Sequence, residues 1–291
     1  MTHSDEIQIE TKNKAGKYVM SRHVHFISGL PRSGSTLLSV LLGQNPNIYC
    51  AEYSTPVCSL MTKMLSVISE GEYKTEFSGE KVMNLLKKTM DTYHDMPSKP
   101  NLVIDNNRAW CSKLQLLDYL YPHAKVICCV RDPVWVINSF ERIIGRDPTF
   151  SSYLVPVEHR ATLHQRVNYL LSPAGAFGFA YQALQEAFFG QFSFKLVLVD
   201  YDSLVTKPLS VMRFLEKELN VPAATYDMDN VRYTPPTAYD KALETPGLHD
   251  IAQKVEPQKH PLILPPDVVN RLAGGAFWRD RSMNPKSVRI I

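Results

Sequence analysis

Short apolar runs alternate with longer amphipathic stretches along this chain. Runs at 24–28, 102–105, 126–130 and 195–199 are rich in Val, Ile or Leu and end in polar or turn residues, which marks them as strands. Runs without polar alternation need cover on both faces and therefore predict a parallel sheet between helical layers. Apolar positions at helical spacing predict helices at 36–42, 54–69, 80–93, 112–120, 134–144, 159–189 and 209–219. Ser172-Pro173-Ala174-Gly175 interrupts the longest of these, which therefore divides in two. The succession predicts an α/β fold: a single domain over 21–291 with a central parallel sheet flanked by helices, preceded by a flexible arm at 1–20. No internal repeat occurs. The proline-bearing stretch 221–266 has weak periodicity and predicts long loops, which either close over a ligand or simply wrap the sheet.

Composition narrows the class without naming a function. With 44% hydrophobic and 21% charged residues in 291, a sizeable core is within reach. A net charge of +3 with interleaved signs points to neither a nucleic acid nor a membrane surface as partner. The first twenty residues are polar and no later run reaches the ~18 apolar residues of a spanning helix, so a cytoplasmic setting is expected. Five cysteines without a CxxC pair read as free, mostly buried thiols, with Cys128 and Cys129 inside a strand.

Candidate chemistry begins where the first strand runs into Gly29-Leu30-Pro31-Arg32-Ser33-Gly34-Ser35-Thr36 and then a helix. The spacing G-x4-G-x-[ST], between a strand and a helix, is that of a phosphate-binding P-loop rather than of a glycine turn that binds nothing. Glycines let successive N–H groups turn inward, and the helix N-terminus adds its positive dipole end. Ser35 stands where a nucleoside triphosphatase carries lysine, and the positive charge is Arg32 instead. Arg32 with the hydroxyls of Ser33, Ser35 and Thr36 and the amide of Gly34 makes a site for a phosphate or phosphosulfate.

A second site follows the strand ending at Val130: Arg131-Asp132-Pro133 opens a helix that carries Ser139 two turns in. Arg131 then sits at the carboxyl end of a strand, where open α/β sheets bind ligands. Together, residues 29–38 and Arg131 with Ser139 eight residues later resemble the two nucleotide signatures of the PAPS-dependent sulfotransferases (PAPS is 3′-phosphoadenosine 5′-phosphosulfate), nearer the tyrosylprotein and glycan branch than the cytosolic aryl branch. The resemblance covers roughly 24–220 and is specific at the two signatures. It implies a P-loop-containing nucleotide-binding fold. It further implies that residues 32–36 hold the 5′-phosphosulfate, Arg131 and Ser139 the 3′-phosphate, and that Tyr201 approaches the nucleotide.

The same resemblance implies a catalytic base shortly after the loop helix, where Glu52 is the acid present and Tyr53 replaces a second glutamate. It implies a catalytic cation after the strand at 102–105, where Arg108 stands, and no histidine occupies the position used by the cytosolic branch. The expected activity is sulfuryl transfer from PAPS to an acceptor hydroxyl on a small molecule or peptide, with Glu52, Arg32 and Arg108 catalytic and no metal required. The rivals are a P-loop kinase or triphosphatase with Asp105 on magnesium, and a non-catalytic nucleotide-binding protein. His249 reads either as facing the acceptor or as a surface or satisfied loop histidine, and Trp110, Trp135 and Tyr53 as core or pocket wall. The stretch 277–281 reads either as cover over the nucleotide or as a solvated basic tail.

Overall fold

The computed structural model describes residues 10–12, 18–20, 23–95, 98–147, 149 and 152–291. The arm expected at 1–20 lies outside the described residues except for β1 (Glu10–Lys12) and β2 (Tyr18–Met20), which pair antiparallel. The main sheet has six strands, β3 (His23–Gly29), β4 (Ile48–Cys50), β5 (Leu102–Asn106), β6 (Val126–Val130), β7 (Leu196–Asp200) and β8 (Arg289–Ile290), in the order β4-β5-β3-β6-β7-β8. Every neighbouring pair in it is parallel. The four apolar runs form its centre. The edge strands β4 and β8, three and two residues long, were not expected as strands.

Alternation along the strands divides the core between the two faces of the sheet. Phe26 of β3, Val126 and Cys128 of β6, and Leu196 and Leu198 of β7 pack on one face. Their neighbours Ile27, Ile127, Cys129, Val197 and Val199 pack on the other. The first face is covered by α2 (Val57–Ser69), α3 (Gly79–Tyr93), α4 (Leu114–Leu120), α5 (Pro133–Ile144), α6 (Leu163–Leu171), α7 (Ala176–Phe189) and α11 (Pro266–Leu272). The second is covered by α1 (Ser35–Leu42), α8 (Tyr201–Thr206) and α9 (Pro208–Glu218). The remaining helix, α10 (Thr237–Ala242), lies within the stretch expected as long loops. The break at 172–175 separates α6 from α7 as expected.

Local chemistry sets the element ends. The helix expected from 112 begins instead at Leu114, after a 3-10 turn over Arg108–Lys113. Asn107 starts that turn by accepting from the Ala109 amide at 2.9 Å. The stretch 277–281 is neither cover nor basic tail. Phe277 and Trp278 are buried, and Arg279 binds Asp200 at 2.8 Å and Asp202 at 2.6 Å. An aromatic pair next to a cation with two acids in reach tucks under the sheet because burial of the rings outweighs solvation of the tail. All five cysteines are free and buried.

Candidate active site

The two predicted phosphate clamps meet at the carboxyl ends of β3 and β6. Gly29 has φ 101° and Gly34 φ 87°, and both curl the loop between β3 and α1. A Cβ at Gly29 would lie 2.3 Å from the Cys129 carbonyl oxygen of the adjacent strand. Gly29→Ala is therefore expected to cost about 1–3 kcal/mol in backbone strain alone, read as a fall in the urea midpoint. An unchanged midpoint would mean that the loop is not held in this conformation. Ser35 and Thr36 open α1 and line the cleft with Arg32 and Gly34. Ser33 is fully buried, its hydroxyl donates to the Pro31 carbonyl at 3.4 Å, and it is not among the residues that line the cleft.

On α5, Asp132 caps the helix by accepting from the Val134 amide at 2.9 Å, and Pro133 occupies the first turn. Ser139 thus faces the loop, and its Oγ accepts from Arg32 Nε at 3.1 Å. Arg131 donates to the Arg32 carbonyl at 3.3 Å and lies 4.0 Å over the Tyr201 ring. Burial, then the like charges of Arg131 and Arg146, push the Arg32 guanidinium down to about 10. Burial also lowers Arg131 and Arg108. Cations packed close enough to depress one another fit an anionic ligand, which would relieve that repulsion.

These residues line a cleft of about 350 Å³, in the range of small-molecule sites. Arg32, Gly34, Ser35, Thr36, Arg108, Arg131, Ser139 and Tyr201 all line it, joined across long sequence separations by the fold. Arg108 sits there because the turn after β5 is pinned by the Ser28 hydroxyl, which donates to the Arg108 carbonyl at 2.8 Å. Glu52 is exposed and outside the cleft lining, and partial desolvation raises its pKa. The stretch 221–266 divides between the sheet and the cleft. Its early part wraps the second face, and residues 239–260 form one wall of the cleft.

Several lining residues escaped the sequence reading. Arg142 continues the Ser139 face of α5, a spacing of three that was legible on one helix face, and Arg146 follows just beyond the helix end. Lys254 and His260 come from the late loops. Buried Asn138 secures the segment beside His260, donating to the Pro261 carbonyl at 3.0 Å and accepting from the Ile263 amide at 2.9 Å. His249 stands in the wall, with its Nδ1 2.5 Å from Asp240 Oδ1. Trp110 is core as expected, whereas Trp135 is exposed on α5.

Asp105 is fully enclosed. Thr55 Oγ1 and Trp110 Nε1 donate to its carboxyl oxygens, each at 2.6 Å, and His94 Nε2 lies 2.8 Å from it. A carboxyl group committed to three side chains in the core has no face left for a hydrated magnesium ion.

Residues 25–225, more than half of the chain, match the model of the Sulfotransferase family. A curated relative, Protein-tyrosine sulfotransferase 1 of Danio rerio, is 26% identical over 205 residues, which cover 68% of this chain and 53% of the relative. The chain thus spans about half the length of that relative. The solved Sulfotransferase Domain from the Curacin Biosynthetic Pathway is 19% identical with a TM-score of 0.51, over 87% of this chain and 96% of that one, a likeness of fold.

Proposed function

The chain belongs to the sulfotransferase family, and from that premise we propose that it moves a sulfuryl group from PAPS to a hydroxyl of a small molecule or peptide, releasing 3′,5′-ADP. The observation that supports this most is the convergence of both signatures on one cleft, with Arg32 Nε 3.1 Å from Ser139 Oγ. The loop amides, Arg32, Ser35 and Thr36 would hold the phosphosulfate at the α1 N-terminus, and Arg131 and Ser139 the 3′-phosphate, with Tyr201 beneath the Arg131 guanidinium.

When bound, PAPS supplies the sulfuryl group and the nucleotide leaving group. Such a transfer leaves little covalent work to the protein, so positioned cations and amides carry most of the catalysis. Arg32 and Arg108, both desolvated, are placed to offset charge growing on the leaving oxygen. Glu52, expected from its sequence position to receive the acceptor proton, is only partly desolvated and stands outside the cleft lining. Five free cysteines suit a reducing compartment and support the cytoplasmic setting. Among the described residues no helix is long and apolar enough to cross a membrane.

A thermal-shift comparison tests the donor. 3′,5′-ADP is expected to stabilise the chain by about 2.7 kcal/mol at a concentration 100 times its Kd, with or without magnesium, while ATP and ADP stabilise less. Turnover is expected to survive EDTA, since the positive charge comes from arginines. Stabilisation by ATP that depends on magnesium would favour the kinase reading instead.

A further inference from the structure

We propose that the acceptor proton is taken by His249, held in place by Asp240, rather than by Glu52. The inference rests on the sulfuryl-transfer reading and names a catalytic residue for it in a segment that neither signature covers. His249 lines the cleft shared by both clamps, whereas Glu52 does not. Its Nδ1 lies 2.5 Å from Asp240 Oδ1, and its backbone amide donates to Asp240 Oδ2 at 3.1 Å. One buried carboxyl group on α10 thus fixes both the ring and the backbone of the histidine. A carboxylate accepting from Nδ1–H leaves Nε2 as the lone-pair nitrogen, the tautomer that a general base needs. The rings of Tyr53 and Tyr239 stand 6.1 and 5.4 Å from the imidazole and restrict its rotation.

The histidine is also tied to the donor side. The Arg32 guanidinium donates to the carbonyl of Leu248, the residue before His249, so the loop that carries the phosphosulfate also positions the base. Arg146 and Asp250 both lie beside Gly247, two residues before His249. In the step itself, Nε2 takes the hydroxyl proton and the oxygen lone pair forms the new S–O bond. The bond from sulfur to the bridging oxygen of PAPS breaks, and its electron pair leaves with 3′,5′-ADP, facing Arg32 and Arg108.

The test compares His249→Gln, Asp240→Asn and Glu52→Gln, using PAPS with 4-methylumbelliferone as a phenol acceptor, 3′,5′-ADP calorimetry, and nitrogen-15 spectra of the histidines. His249→Gln is expected to lower turnover roughly 10²–10⁴-fold with 3′,5′-ADP affinity unchanged, and Glu52→Gln to stay within a few-fold. Asp240→Asn is expected to lower kcat with 3′,5′-ADP affinity unchanged and to let the neutral-state proton of His249 spread to Nε2 in the nitrogen-15 spectra, which loss of packing alone would not produce. The spectra are expected to place the neutral-state proton of His249 on Nδ1. A proton on Nε2, or a His249→Gln variant within a few-fold of the unmodified chain, would overturn the proposal and leave the donor reading standing. A large loss in Glu52→Gln alone would return the role to Glu52. Failure of the unmodified chain to bind 3′,5′-ADP would remove the donor reading and this proposal with it.

Discussion

3′,5′-ADP is expected to bind roughly 10- to 150-fold more tightly than 5′-AMP, and Arg131→Ala to erase that preference. The figure corresponds to the about 1.5–3 kcal/mol typical of charge-assisted hydrogen bonds. It applies because the Arg131 side chain is already oriented: its guanidinium lies over the Tyr201 ring at 4.0 Å and donates to the Arg32 carbonyl at 3.3 Å. Little conformational entropy remains to be lost when a 3′-phosphate arrives. Arg131→Lys keeps the charge but loses the planar stacking and the fork geometry, so it should restore only part of the preference. Ser139→Ala removes a neutral partner and should cost less than Arg131→Ala. Equal affinity of the unmodified chain for the two nucleotides, measured by calorimetry, would remove Arg131 and Ser139 from the 3′-phosphate site.

The second large effect is on stability and concerns the residue that a kinase would use to hold its metal. Asp105→Ala is expected to lower the unfolding free energy by about 3–5 kcal/mol, the range for stripping one partner from a buried polar cluster. Thr55, His94 and Trp110 all lose the same acceptor in a fully buried site, and each unmet polar group costs about 1–3 kcal/mol. The loss should appear as a lower urea midpoint that magnesium does not alter. A midpoint shift worth less than about 1 kcal/mol would mean that the carboxyl group is not the hub of this cluster, and a magnesium-dependent shift would reopen the metal reading. Asp105 lies on β5, three residues before Arg108, so the same variant should also loosen the turn that places Arg108 in the cleft.

Each of these effects involves partners that are distant in sequence, and this separates what the chain alone reveals from what folding decides. Local patterns sufficed for the four central strands, most helices and the phosphate loop, because unbroken apolar runs, 3.6-residue spacing and a glycine pair between strand and helix are properties of a few consecutive residues. They also placed Arg131 at a strand end and Ser139 on a helix face, since positions eight residues apart are still local. The edge strands Ile48–Cys50 and Arg289–Ile290 are too short to carry a pattern and exist because a neighbouring strand offers them hydrogen bonds.

Tertiary structure decided the remainder. Asp105 reads in sequence as an acid at a strand end, equally fit for a metal or for the core, and only the approach of Thr55 and His94 from other elements commits it to the core. His249 and Asp240 are nine residues apart across a short helix and a turn in which neither has a spacing rule. What pairs them is the fold of the 239–250 segment, and what brings the pair to the cleft is the Arg32 contact with Leu248. The sequence by itself determined the half of the cleft that is built on consecutive residues at strand ends. The other half is assembled from loops whose positions depend on long-range hydrogen bonds and packing, and these have no periodic trace in the chain.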